Sequence, residues 1–255
     1  MYKFSNQNFF DFSFNGSKLS DHGGYVGSAD GGIKSYSVLP SRSYTTDKPL
    51  GTDITTVYAS SLEPRDFEVP VVFDTLDDGK LREIAMWLDS PTPSKFQWVG
   101  DTVYINACLD GSAFDAESSS GIDGQIPLKF TAFDPFFYNI TQSEHTISDL
   151  TSGQSYAFEN QGYGELPPYI TITCSGDIKI EVLDSEEKVY TTTNVTGITG
   201  GVKIDSTAME CTLMSGASHF SHIDTFPMLP QGQFKIKVTG NTLTNMQLNY
   251  RERYL

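Results

Sequence analysis

The chain has 255 residues, of which 19% are charged and 13% aromatic, with 22 glycines and a formal net charge of −15. The length suits one large or two medium domains, and aromatics set among glycine, serine and threonine are the texture of a sheet-rich protein with many turns. The 17 lysines and arginines are scattered, with no cluster beyond Arg251 and Arg253, so a phosphate backbone or an anionic membrane finds no concentrated cationic surface.

Residues 9 to 16, F-F-D-F-S-F-N-G, alternate aromatic and polar and end in Asn15-Gly16, which predicts a strand and a tight turn. The glycine-rich run Gly23–Gly32 lacks a phosphate-loop pattern and reads as a flexible loop or arm. Residues 41 to 60 are polar, with room for strands. Phe67, Val69, Val71 and Phe73 share one face of a strand, which Pro70 argues is an edge or bulged one. A helix follows, with Thr75 as the expected N-cap and Asp77 and Asp78 in its first turn. Its expected apolar stripe is Leu81, Ile84, Ala85 and Leu88, with Trp87 just off it. Strands are expected over 95–100 and 102–109, the second burying Val103, Ile105, Ala107 and Leu109. Residues 110 to 124 read as a loop.

The segment Gln125–Tyr138 places Ile126, Leu128, Phe130 and Ala132 on one face and stops at Asp134-Pro135. A differently textured block opens near Ser143. It carries seven short candidate strands: Tyr156–Asn160, Tyr169–Cys174, Ile178–Leu183, Val202–Asp205, Met209–Met214, Phe234–Val238 and Met246–Tyr250. Turn signals such as Ser175-Gly176-Asp177 and Gly240-Asn241 separate them, as in a β-sandwich. The expectation is a mainly β protein with an α+β first domain, residues 1–140, a barrel-like sheet with one helix. The second domain, 141–255, is a sandwich. Polar residues 138 to 155 would link the two. Cys108, Cys174 and Cys211 have no disulfide spacing and read as buried thiols in a protein made in a reducing cytosol. The start of the chain shows no charged-then-apolar signal segment, and no run is long enough to span a membrane.

Catalytic chemistry finds little footing. The carboxylate groups Asp77/Asp78, Asp110/Asp115/Glu117 and Glu186/Glu187 fall at a helix start or in polar loops. The 110–123 loop does not fit an EF-hand. His219 and His222 lack the i, i+4 spacing and a third ligand, and Cys108 alternates within a strand. No enzyme, metal or cofactor is expected. Tyr163, Tyr169, Tyr190 and Phe220 are candidate sugar-stacking aromatics. They support an alternative reading of the second domain as a carbohydrate-binding adhesin module that contacts a host wall.

The order of landmarks resembles that of the distal tail (Dit) proteins of long-tailed siphophages. Phe12-Ser13-Phe14-Asn15-Gly16 is similar to the family's opening strand. Ser61–Arg65 with Phe67–Phe73 resembles the segment before the helix, and Phe133-Asp134-Pro135-Phe136 the end of the first domain. Phe158–Gly162 with Pro168–Ile172 is similar to an N-x-G…P-x-I-x-I pattern, and Ile204–Ser206, Phe226-Pro227 and Tyr250–Tyr254 to later landmarks. The resemblance implies a ring-forming first domain, a galectin-like second domain and a structural role in the virion at the phage tail tip, with assembly in the bacterial cytoplasm. It implies six copies in a ring, with two rings stacked as an open possibility. Its implied partners are the tail tube protein, the tape-measure protein, a tail-associated hub or lysin protein, and receptor-binding or baseplate proteins. Candidate ring-interface residues are Phe9, Phe12, Phe14, Asn15, Gly16, Gly23, Gly24, Gly31 and Gly32.

Overall fold

The computed structural model describes residues 11–27, 39–48, 50, 53–73, 76–111 and 124–255, without the side chains of residues 124 and 125. The chain divides into two compact units between Tyr138 and Asn139, with Leu255 grouped with the first.

The strands of the first unit are β1 (Phe12–Phe14), β2 (Ser17–Lys18), β3 (Gly24–Val26), β4 (Arg42–Asp47), β5 (Thr56–Leu62), β6 (Arg65–Phe73), β7 (Ser94–Trp98), β8 (Val103–Leu109) and β9 (Gly124–Ala132). The helix α1 (Asp78–Leu88) lies between β6 and β7, and β10 (Phe137–Asn139) follows β9. An antiparallel sheet runs in the order β2-β1-β7-β8-β9-β6-β3. Alternation explains its core: Val69, Val71 and Phe73 from β6, Ile105 and Ala107 from β8, and Ile126, Leu128, Phe130 and Ala132 from β9 are buried together. Phe12 lies among Phe96, Trp98 and Phe130, with ring centroids 4.8 to 6.1 Å away.

Three details differ from the sequence reading. β6 is not an edge or bulged strand: it pairs with β9 from Arg65 to Phe73 without a register shift, and with β3 on its other side. Pro70 fits because its carbonyl accepts from Gly27 N at 3.0 Å, so its side of the backbone faces the end of β3 rather than β9. The N-cap of α1 is Asp77, whose Oδ1 accepts from Lys80 N at 2.7 Å, and Thr75 lies outside the described residues. On the buried face of α1, Trp87 replaces Ala85 beside Ile84 and Leu88. Trp87 Nε1 donates to Phe14 O at 2.8 Å and Asn15 Nδ2 donates to Trp87 O at 3.3 Å, which fastens the helix to β1 and its turn.

The second unit contains β11 (Ser143–Ile147), β12 (Ser155–Asn160), β13 (Tyr169–Leu183), β14 (Val189–Ile198), β15 (Val202–Asp205), β16 (Glu210–Leu213), β17 (Gly232–Tyr250) and β18 (Arg253–Tyr254). Its spine is the long antiparallel pair β13–β17. One end of this ribbon is flanked by β11 on β17 and by β15 then β16 on β13. The other end is flanked by β12 on β17 and β14 on β13. Four expected short strands are therefore two long ones. The punctuation at Gly176 and Gly240 marks irregular register within the ribbon, not its ends. Gly176 has φ +89°, and a Cβ on Gly240 would lie 3.0 Å from Ile178. The expected linker 138–155 also needs correction, since β11 within it pairs with β17 over five residues. The core gathers Ile170, Ile172, Ile180, Val182, Ile204, Phe234, Ile236, Met246 and Leu248.

Candidate assembly surface

The residues expected to form a ring surface have different fates. Phe12 and Phe14 are fully buried. Their rings pack in the core of the first unit, Phe12 against Phe96 and Phe14 against Phe130, so their side chains are unavailable to a partner. Gly24 is buried as well, and a Cβ there would meet Phe73 and Leu19 at 2.5 and 2.6 Å. Asn15 (φ 48°), Gly16 (φ 84°) and Gly23 (φ 71°) are exposed turn residues in the left-handed region. Phe9, Gly31 and Gly32 lie outside the described residues.

A more prominent surface is the hairpin β4–β5, which forms a sheet of its own. Its pairing runs from Arg42–Leu62 to Asp47–Thr56, with an irregularity after Thr45–Ala59 that leaves Tyr58 as the extra residue. The base is closed by Glu63 N donating to Ser41 O at 2.9 Å. Almost every residue of both strands is exposed, on both faces. Tyr44, Val57 and Tyr58 are 58%, 56% and 65% exposed, and Ile54 between the strands 74%. A hairpin with no apolar face packed on a core is marginal in water. The sequence signal was β-branched and aromatic residues without alternation: strand propensity with no inside.

The chemistry-bearing candidates are engaged in local structure. Asp77 caps α1, Glu186 pairs with Lys188 and Glu187 with Lys235. Asp115 and Glu117 lie outside the described residues. The rings of His219 and His222 stack at 4.3 Å and 11°, and His219 Nε2 donates to Thr196 O at 2.7 Å. No group of three potential metal ligands gathers among the described residues. Cys174 and Cys211 are buried, and burial pushes the Cys174 thiol up to about 11 and the Cys211 thiol up as well. Cys108 is a correction: it is half-buried, because the alternation that buries Ile105 and Ala107 turns Cys108 to the opposite face.

The four candidate sugar aromatics stand on four segments. Tyr163 follows β12, and its carbonyl accepts from Arg253 Nε at 3.2 Å. Tyr169 opens β13. Tyr190 on β14 donates to Glu165, and partial burial, then that carboxylate, push its phenol up to about 12. Phe220 is 56% exposed and packs 6.0 Å from Phe226. A depression of about 380 Å³ in this unit is lined by Phe158, Glu159, Asp184, Gln233, Phe234 and Lys235, among others. Three of its polar groups have protein partners: Gln161 for Glu159, the turn amides of Glu186 and Lys188 for Asp184, and Glu187 for Lys235. Among the described residues, no helix is long and apolar enough to cross a membrane.

Residues 7–132 match a family model described as a phage tail protein N-terminal domain. No curated protein matches the chain. Among solved structures, the crystal structure of the Dit protein of phage SPP1, described as a paradigm of the hub adsorption apparatus of phages infecting Gram-positive bacteria, aligns with a TM-score of 0.76. It shares 16% identity and covers 97% of this chain and 100% of that one. Two structures of the phage p2 baseplate in its activated conformation, with strontium and with calcium, align at 10% identity over 95% of this chain and 97% of theirs. Their TM-scores are 0.48 and 0.46, too low to carry an argument about fold. Residues 7–132 are thus similar to a phage tail protein N-terminal domain, and along nearly its whole length the chain has the fold of the SPP1 Dit protein.

Proposed function

We propose that this protein is a structural, non-catalytic ring component of a phage tail tip. It would join the end of the tail tube to the proteins that engage the host. The observation that carries the ring is the β4–β5 hairpin. It presents Tyr44, Val57 and Tyr58 to solvent, with no cover from its own unit among the described residues. Its occupant in this reading is the first domain of a second copy. Hairpin on one side and receiving surface on the other make a heterologous contact, which closes into a ring when the rotation is a whole fraction of a turn. Six copies would form that ring. The tail tube and tape-measure proteins would meet it on one side, and hub, lysin and receptor-binding proteins on the other, within a virion assembled in the host cytoplasm.

The test is a surface variant, Tyr44→Ser with Val57→Ser and Tyr58→Ser. All three side chains are exposed, so the variant should fold with an unchanged far-ultraviolet spectrum. It should sediment as a monomer where the parent sediments as a ring. A folded variant that assembles like the parent would refute the role given to the hairpin.

A further inference from the structure

The depression of about 380 Å³ in the second unit arises from a pattern of side-chain sizes. Ala157 and Glu159 of β12 lie opposite Lys235 and Gln233 of β17 in the antiparallel register. Alternation turns these four outward, while Phe158 and Phe234 between them pack on the core. Side chains directly opposite on one face stand about 5 Å apart, so three long side chains fence the single methyl group of Ala157. The turn after β13 supplies a further wall with Asp184 and Ser185.

The walls are held by bonds that leave binding groups open. Asp184 Oδ1 accepts from Glu186 N at 2.9 Å and from Lys188 N at 3.0 Å, and Asp184 N donates to Lys188 O at 2.9 Å. These bonds fix the turn and leave Oδ2 unused. Glu159 Oε2 accepts from Gln161 Nε2 at 3.2 Å, which leaves Oε1 unused. Glu187 anchors the Lys235 ammonium. Among the described residues, no protein group bonds to the side chains of Gln233 or Ser185. The open set is therefore two carboxylate oxygens that accept, an amide and a hydroxyl that do both, and an ammonium with protons to spare. Donors and acceptors gathered round one apolar spot match the hydroxyls of a sugar ring and its C–H face. Two carboxylates against one ammonium leave the lining net negative, which disfavours phosphate and carboxylate ligands.

We propose that this depression binds one neutral hexose unit of a glycan. The ring sits over Ala157, and its hydroxyls reach Gln233, Ser185, Glu159 Oε1 and Asp184 Oδ2. The volume is that of a small-ligand site, and walls already held in place lower the cost of ordering them on binding. A single sugar of this size, with few contacts, binds at about millimolar Kd. The site lies wholly within the second unit and does not depend on closure of a ring by the first.

The test is titration of the full chain with glucose, galactose and N-acetylglucosamine, followed through assigned amide resonances, with glucuronate as the anionic counterpart. At least one neutral sugar should saturate at about millimolar concentration, with shifts centred on Ala157–Glu159, Asp184–Ser185 and Gln233–Lys235. Ala157→Ile puts a strand-favouring side chain into the gap at an exposed position, so it should fold and abolish those shifts. Gln233→Ala, also at an exposed position, should weaken binding about three- to tenfold through loss of its hydrogen bonds. Glucuronate should bind more weakly than glucose. No shift at these positions with any neutral sugar, shifts undiminished in Ala157→Ile, or glucuronate bound as tightly as glucose would each overturn the proposal.

Discussion

Asn160 offers a quantitative test of what holds the second unit together. It is 1% exposed, at the end of β12. Its Nδ2 donates to Gly164 O at 2.9 Å and to Pro230 O at 3.1 Å, and its Oδ1 accepts from Gly162 N at 2.9 Å. One side chain thus closes the Gln161–Gly164 turn and ties it to the chain entering β17. The same turn holds the end of the chain, through Tyr163 N donating to Arg253 O at 2.6 Å. Asn160→Ala removes all three bonds and strands two buried partners, Pro230 O and Gly162 N, while Gly164 O can reach water. At about 1 to 2 kcal/mol for each buried group left unpaired, the loss is about 3 kcal/mol. For a unit of this size that is a melting shift of about 10 °C. Asn160→Asp should be no better: it can still accept from Gly162 but turns a carboxylate toward two carbonyl oxygens. Both tryptophans, Trp87 and Trp98, lie in the first unit, so their fluorescence reports on it alone. Far-ultraviolet dichroism should show the second unit melting early while the tryptophan midpoint stays in place. A loss under about 1 kcal/mol, or an Asn160→Asp variant as stable as the parent, would refute the assigned role.

Other outcomes follow from burial and charge. Replacing Phe12 and Phe14 together by serine should unfold the first unit, since each buried phenylalanine is worth about 3 to 5 kcal/mol; loss of the cooperative tryptophan fluorescence transition is the readout. A thiol reagent should label Cys108 first and reach Cys174 and Cys211 only on unfolding, which mass mapping of the labelled peptides can check. Lys179 and Lys237 hold the Glu181 carboxyl below its ordinary pKa. That stability is present above about pH 4 and is lost as pH falls through the lowered folded value. The urea midpoint of the second unit should therefore drop between about pH 5 and 3, and drop less in Glu181→Gln.

Where one face of a strand is buried, the sequence was legible. β6, β8 and β9 alternate so regularly that Val71, Ile105 and Leu128 could be assigned to a core from spacing alone. Where burial does not alternate, the reading failed. β14, V-Y-T-T-T-N-V-T-G-I, went unseen because threonine dominates it and its burial is irregular along the strand. The β13–β17 ribbon was cut in two because glycines that permit a bulge look the same in sequence as glycines that end a strand. Helical spacing puts Trp87 just off the apolar stripe, and the indole N–H bond that accompanies its burial goes to Phe14 O, 73 positions away, where spacing gives no sign of it. Phe12 and Phe14 share the difficulty: an aromatic strand suits a core and an interface equally, and only their burial decides between the two. Residues 41 to 60 left room for strands, but the β4–β5 pairing was not legible because a polar stretch has no buried face to set a register.

The central claim is closure of a ring, and the most direct measurement is the mass of the full chain by sedimentation equilibrium at micromolar and higher concentrations. The account predicts a species near six times 28.2 kDa that survives dilution into the micromolar range, as expected if each contact buries at least about 1,000 Å². A single species of 28.2 kDa at every concentration would contradict it.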